Sequence, residues 1–246
     1  MFEKKYWQQV NLLLEILPEL NEFPQLALHG GTAINLFYRA MPRLSVDLDL
    51  TWTQTGSREH DLRGIKNSLH SLRNTLVRRI PHIQVRLNET QPGLYKLYCQ
   101  RGGAQVKVEV NTVNRGLLEA AQLKPLNLRA QEVLERFCEV QLVGYGQLFG
   151  GKWVAALDRQ HPRDIFDIMV MLDAEGYTPS LHRGLLFCLL SSNRPIHELL
   201  APTRLDQRQA LNRVRPQSRK LDHMSSVCSS LFESKACVAL KIKEST

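Results

Sequence analysis

Between Leu26 and Trp52 the chain can be built in very few ways. Leu26 to His29 reads as a short strand, and the Gly30-Gly31 pair that follows allows a sharp turn into a helix over Thr32 to Arg39. The run Ser45-Val46-Asp47-Leu48-Asp49-Leu50-Thr51-Trp52 then alternates with period two. As a strand it puts Ser45, Asp47, Asp49 and Thr51 on one face and Val46, Leu48, Leu50 and Trp52 on the other. Two aspartates side by side repel, and a hard divalent cation is the simplest thing that relieves them. Mg²⁺ is commonly held by one or two carboxylates plus substrate phosphates. The turn and helix start at Gly30, Gly31 and Thr32 offer backbone N–H groups and a positive dipole end to a triphosphate. Either element alone is ordinary: a Gly-Gly is usually a turn, and an Asp-x-Asp usually a wet strand edge. In this order and spacing they imply phosphate and metal chemistry together.

A second strand repeats the pattern. In Gln105-Val106-Lys107-Val108-Glu109-Val110-Asn111 the valines face one way and Lys107, Glu109 and Asn111 the other. Beyond it, Gly150-Gly151-Lys152 reads as a glycine-rich helix start, where a lysine is placed to meet phosphate. Asp164 and Asp167 sit i and i+3 on one helix face. They are open to two readings, a functional one and a helix-dipole and salt-bridge pairing with Arg159 or Arg163.

The stretches Leu28-His29-Gly30-Gly31-Thr32-Ala33-Ile34-Asn35-Leu36 and Pro42-Arg43-Leu44-Ser45-Val46-Asp47-Leu48-Asp49-Leu50 resemble the abortive-infection nucleotidyltransferase toxins of the AbiEii/AbiGii group. That group lies within the polymerase-β-like nucleotidyltransferase superfamily, and the similarity runs from about Ala27 to about Pro202. The resemblance implies an α/β (α+β) fold with a short mixed sheet and a helical C-terminal half, the active site lying between them. It implies transfer of a nucleoside monophosphate from an NTP to an acceptor hydroxyl, with Mg²⁺ on Asp47 and Asp49. Glu109 fits the third carboxylate, as ligand or general base, against the plain alternative of a wet strand face. Gly31, Thr32 and Lys152 would hold phosphates, Ser45 would assist, and Arg43 would contact substrate or anchor its loop. The resemblance also implies a bacterial toxin–antitoxin or phage-exclusion role, an RNA (tRNA) acceptor, and a winged-helix antitoxin encoded alongside. A protein hydroxyl as acceptor, and a non-catalytic nucleotide-binding relative, are the competing readings.

Length and charge frame this. The 246 residues are 43% hydrophobic, enough for a sizeable core. We expect a catalytic domain over 1–125, a helical domain over 126–202 and a basic, weakly periodic tail over 203–246. The net charge is +8, and nine Lys/Arg against four Asp/Glu from Thr203 onward put +5 of it in that tail. An RNA footprint elsewhere must therefore be local. Five scattered cysteines without a C-x-x-C pair argue against a zinc site or disulfide framework and fit a reducing cytoplasm. No apolar run approaches a membrane span, and the N-terminal residues read as an amphipathic helix, not a signal peptide. Further amphipathic spacing over Arg58 to Arg79, and strands at His82–Leu87, Tyr95–Gln100 and Gln105–Asn111 with a hairpin at Gly102-Gly103, complete the expected elements.

Overall fold

The computed structural model describes residues 4–43, 45–91, 94–203 and 205–207. The basic tail, with Cys228 and Cys237, lies outside them apart from its first residues. Two compact units are present, Met1–Leu148 and Phe149–Thr246.

The first unit is a seven-stranded mixed sheet with helices. Helix α1 (Lys4–Ile16) buries Val10, Leu13 and Leu14 and runs into a 3-10 segment, Leu17–Glu22. Strand β1 (Leu26–His29) leads into α2 (Gly30–Ala33), which continues through Ile34–Tyr38 as a wider turn closed by Arg39 N–H donating to the Ile34 carbonyl at 2.9 Å. Strand β2 (Leu48–Trp52), helix α3 (Arg58–Arg79), β3 (Gln84–Gln91), β4 (Leu94–Arg101) and β5 (Ala104–Asn111) follow. Then come β6 (Gln122–Pro125), α4 (Leu128–Leu134) and β7 (Glu139–Leu142). The strand order is β3-β4-β5-β2-β1-β7-β6. The β2–β5 and β1–β7 pairs are parallel and the other pairs antiparallel.

Local chemistry explains the elements. Ser57 caps α3 by accepting from His60 N–H at 3.3 Å. Glu59 and Asp61 in its first turn, with Arg78 and Arg79 in its last, oppose the helix dipole. Gly102 and Gly103 both have positive φ, 53° and 86°, as a tight right-twisting hairpin between β4 and β5 demands. Cross-strand rows make the two faces of β3–β4–β5 opposite in character. Val85, Cys99 and Val106 form one row and Leu87, Leu97 and Val108 the next, all on one face. Lys66 of α3 lies over the Tyr95 ring, which shares that face, so α3 covers it.

Two expectations about this unit are corrected. The strand carrying the aspartates begins at Leu48, not Ser45. Its antiparallel neighbour β1 stops at His29, opposite Asp49, and the Asp47 carbonyl instead accepts from the Thr32 hydroxyl at 2.6 Å. The sheet also runs past residue 125, because Glu139-Val140-Gln141-Leu142 joins it beside β1, with Leu28 opposite Leu142. A four-residue strand leaves too little alternation to stand out in the sequence.

Over its described residues the second unit is helical. It contains most of α5 (Tyr145–Arg159), then α6 (Pro162–Glu175), α7 (Pro179–Leu190) and α8 (Ile196–Leu200). Pro162 opens α6 behind a His161 cap, and Gly176 ends it at φ 69°. Gly150 and Lys152 lie inside α5 and not at its start. A Cβ on Gly150 would come within 2.4 Å of the Gly184 backbone in α7. The glycine there serves close helix packing, and no N-terminal dipole acts at Lys152.

Candidate active site

The sheet brings the acidic residues together from three strands. Asp49 of β2 lies opposite His29 of β1 on one side and Glu109 of β5 on the other. Residues directly opposite share a sheet face, so His29, Asp49 and Glu109 form one row, and Lys96 of β4, opposite Glu109, extends it. Asp47 stands just before β2, its side chain 53% exposed, with Lys107 Nζ 3.9 Å from its carboxylate.

The glycines are fitted against these groups. A Cβ on Gly30 would come 2.5 Å from Asp49 Oδ2 and 3.0 Å from Asp49 Cβ, and Gly30 holds φ +76° besides. A Cβ on Gly31 would come 2.8 Å from Ser45 Oγ and 2.9 Å from the Arg43 guanidinium. The helix start is thus pressed against the loop and strand that carry the carboxylates. Arg43, 4% exposed, is a buried support beside Gly31. Gly30, Gly31, Thr32, Arg43, Ser45, Asp47, Asp49, Lys107 and Glu109 all meet at this one edge.

Two lysines neutralise Glu109. Lys96 Nζ is 2.9 Å and Lys107 Nζ 3.1 Å from its two oxygens. Burial works to raise the Glu109 pKa, but the hydrogen bonds and charges of these lysines outweigh it and hold it below the ordinary carboxylate range. Burial likewise works to lower Lys107, and the Glu109 hydrogen bond with the charges of Asp47, Glu109 and Asp49 outweighs it, raising Lys107. Among the described residues no three His, Cys, Asp or Glu side chains are grouped to hold a metal ion. A cation here would rest on the hard oxygens of Asp47 and Asp49 and on phosphate oxygens brought by a nucleotide, a donor set that suits Mg²⁺. Lys96 and His29 were missed in the sequence, since only register brings them to Glu109 and Asp49, whereas Arg159 is one of the two salt-bridge partners expected for Asp164.

The Gly30 contact predicts a selective defect. Gly30→Ala forces an alanine into the left-handed region, costing roughly 1–2 kcal/mol, and drives its methyl into the Asp49 carboxylate. We expect transfer activity to fall at least ~10²-fold with the protein still folded, because an ångström of misplacement at the reacting groups costs about that much. Gly102→Ala supplies the control: its φ is +53° with nothing within 4 Å. Kinetics and melting curves should show a stability loss for both variants, the larger for Gly30→Ala, and an activity loss for Gly30→Ala alone. Equal activities would remove Gly30 from the site.

In the second unit, Lys152, 7% exposed, reaches Asp164 Oδ1 at 2.9 Å and Asp167 Oδ2 at 3.4 Å. Arg159 adds Nε to Asp164 Oδ2 at 2.6 Å. Burial pushes the Asp164 carboxyl up, but the Lys152 charge and the Arg159 hydrogen bond bring it down to about 2. The folded pKa is below the unfolded one, so this group's stabilisation is complete above about pH 4 and is lost as pH falls toward 2. A shift of that size is worth about 2 kcal/mol. Urea unfolding at pH 5 and pH 3 should show wild type losing more stability than Asp164→Asn by about 1 kcal/mol, the half of that amount lost above pH 3. Equal losses would mean that Asp164 titrates normally.

The sequence signature of the nucleotidyl transferase AbiEii toxins of type IV toxin–antitoxin systems matches residues 11–227. Among solved structures, the fold is similar to the nucleotidyltransferase toxin MenT4 of Mycobacterium tuberculosis. The TM-score is 0.60 at 15% sequence identity, over 83% of this chain and 75% of that one. At this identity the likeness speaks for the fold alone. Among curated proteins none matches the sequence. The chain belongs to the AbiEii family of nucleotidyl transferase toxins of type IV toxin–antitoxin systems.

Proposed function

We propose that the edge formed by Gly30, Gly31, Thr32, Asp47 and Asp49 binds an NTP with Mg²⁺ and transfers its nucleoside monophosphate to an acceptor hydroxyl, the end of an RNA such as tRNA. The acceptor oxygen bonds to the α-phosphorus, the bond from that phosphorus to the bridging oxygen breaks, and pyrophosphate leaves. The acceptor proton passes to solvent or a neighbouring base. Mg²⁺, when bound, would offset charge on the phosphates. Asp47 and Asp49 would hold it, the Gly31 and Thr32 N–H groups would meet phosphate, and Ser45 and Arg43 would keep the loop against Gly31. Glu109 anchors Lys96 and Lys107 at the same edge, where Lys107 balances the aspartates.

The observation that carries this reading is the fit of Gly30 onto Asp49, at a distance that excludes even a methyl group. It ties the phosphate-binding element directly to a metal-binding carboxylate. In this reading the chain is the toxin of a two-gene bacterial pair used in abortive infection, with a winged-helix antitoxin as partner. A cytoplasmic location accords with Cys99, Cys138 and Cys188, three buried free thiols that burial pushes up to about 12. No described helix is long and apolar enough to cross a membrane.

The test is incubation of the purified protein with each α-labelled NTP, Mg²⁺ and either total RNA or an RNA-free lysate. Label on RNA supports the proposal. Label on protein would replace the acceptor, and no label under any condition would return the chain to a nucleotide-binding relative without turnover.

A further inference from the structure

On the polar face of the β3–β4–β5 ribbon only Lys96, Lys107 and Glu109 have a part in the chemistry above, and register makes the rest of the face continuous with the aspartate edge. Three cross-strand rows lie on it: Gln84–Gln100–Gln105, Arg86–Tyr98–Lys107 and Asn88–Lys96–Glu109. The last row continues through Glu109 to Asp49. Every residue of these rows is polar except for the ring of Tyr98, which occupies the centre. On the opposite face Val85, Leu97, Cys99, Val106 and Val108 are buried, with Lys66 of α3 over the Tyr95 ring. Arg86, Asn88, Gln84, Gln100 and Gln105 are exposed, and Tyr98 is partly so.

An aromatic ring standing on an open sheet, with an arginine on one side and a lysine on the other, is what a single-stranded nucleic acid uses. The ring stacks a base and the cations meet the backbone, without reading sequence. Apart from Glu109, which two lysines already neutralise, the three rows carry only the positive charges of Arg86, Lys96 and Lys107. From Asp49 the ring is two strands and two residues away, roughly 12 Å by sheet spacing. That is a short reach for a strand whose terminal hydroxyl sits at the aspartates.

We infer that this face is the platform for the single-stranded end of the acceptor, with Tyr98 stacking a base just inside the terminus and Arg86 holding a backbone phosphate. The inference rests on the transfer reading for its direction, but the binding itself needs no turnover. It also shows how a first unit with a net charge of only +4, 18 Lys/Arg against 14 Asp/Glu, can serve a polyanion: positive charge is placed locally, along one sheet face.

Binding of a labelled eight-nucleotide oligouridylate to the full-length protein, followed by fluorescence anisotropy with no NTP present, tests it. Tyr98→Leu should weaken binding about tenfold, within the range for losing one base–aromatic stack, while Tyr98→Phe keeps it near wild type. Arg86→Gln should lower the slope of log affinity against log salt by about 0.7, the value for one single-strand phosphate contact. A blunt duplex should bind more weakly than the single strand and be indifferent to Tyr98→Leu. Calorimetric Mg²⁺·NTP affinity should be unchanged in Tyr98→Leu. A raised NTP dissociation constant in that variant, with unaltered oligonucleotide binding, would assign the ring to the incoming nucleotide and overturn the inference. So would equal losses in Tyr98→Leu and Tyr98→Phe, or no oligonucleotide binding by the wild type. Oligonucleotide binding that follows this pattern in a protein that transfers nothing would uphold the platform and sink only the transfer reading.

Discussion

Asp49→Ala is expected to abolish nucleotidyl transfer, by roughly 10³-fold or more. A bound cation supplies several kcal/mol of charge stabilisation at phosphate, and each 1.36 kcal/mol is a factor of ten in rate. Asp49 is the carboxylate against which Gly30 is fitted. The fold should survive the change. Asp49 shares its row with Glu109 and its edge with Asp47, so removing one of three carboxylates relieves mutual repulsion. Two measurements separate the metal role from a structural one. Transfer of labelled nucleotide should vanish, and the rise in melting temperature that Mg²⁺ with a non-hydrolysable NTP gives wild type should vanish with it. Full activity, or an unchanged ligand-induced shift, would show that the cation is held elsewhere.

The largest stability effect should come from Lys152→Met. The ammonium lies between two buried carboxylates, Asp164 and Asp167, each almost without solvent contact. Taking away its charge removes the cation that the two carboxylates share, while Arg159, 61% exposed, still answers Asp164. Breaking a buried pair by removing one partner costs about 3–5 kcal/mol, which for a chain of this size lowers the melting temperature by roughly 6 °C or more. Adding Asp164→Asn to the same chain should recover part of that loss. Activity lost in Lys152→Met must therefore be judged against unfolding. A variant that melts like wild type yet no longer binds NTP would make this ammonium a phosphate ligand after all, as the resemblance to the toxins implies.

The glycine pair and the two aspartates were legible because they depend on local rules. A strand ending at His29, a glycine able to take φ +76° at Gly30, and aspartates spaced to meet at one edge all follow from neighbours in the chain. The same holds for α3, whose apolar spacing and charged ends lie within one helix, and for the Gly102-Gly103 hairpin. The reading went astray where the deciding partner is remote. Ser45 to Asp47 alternates like strand, yet has no β1 residue to pair with and yields a carbonyl to Thr32. Gly150 and Lys152 look like the start of a helix, yet α5 begins at Tyr145 and Gly150 lies inside it, packed against Gly184.

By itself, then, the sequence determined the glycines and aspartates of the proposed phosphate- and metal-binding edge and the polar or apolar character of each strand face, since period-two patterning depends only on the chain's own geometry. The tertiary structure decided which faces meet. Register alone sets Glu109 between Lys96 and Asp49, and Tyr98 between Arg86 and Lys107. It also adds β7 to the sheet beside β1 and gives Lys152 its two carboxylates. Each of these joins residues about ten to more than a hundred positions apart. Pairing over such distances is fixed by the packing of the whole sheet or helix layer, which no local pattern encodes.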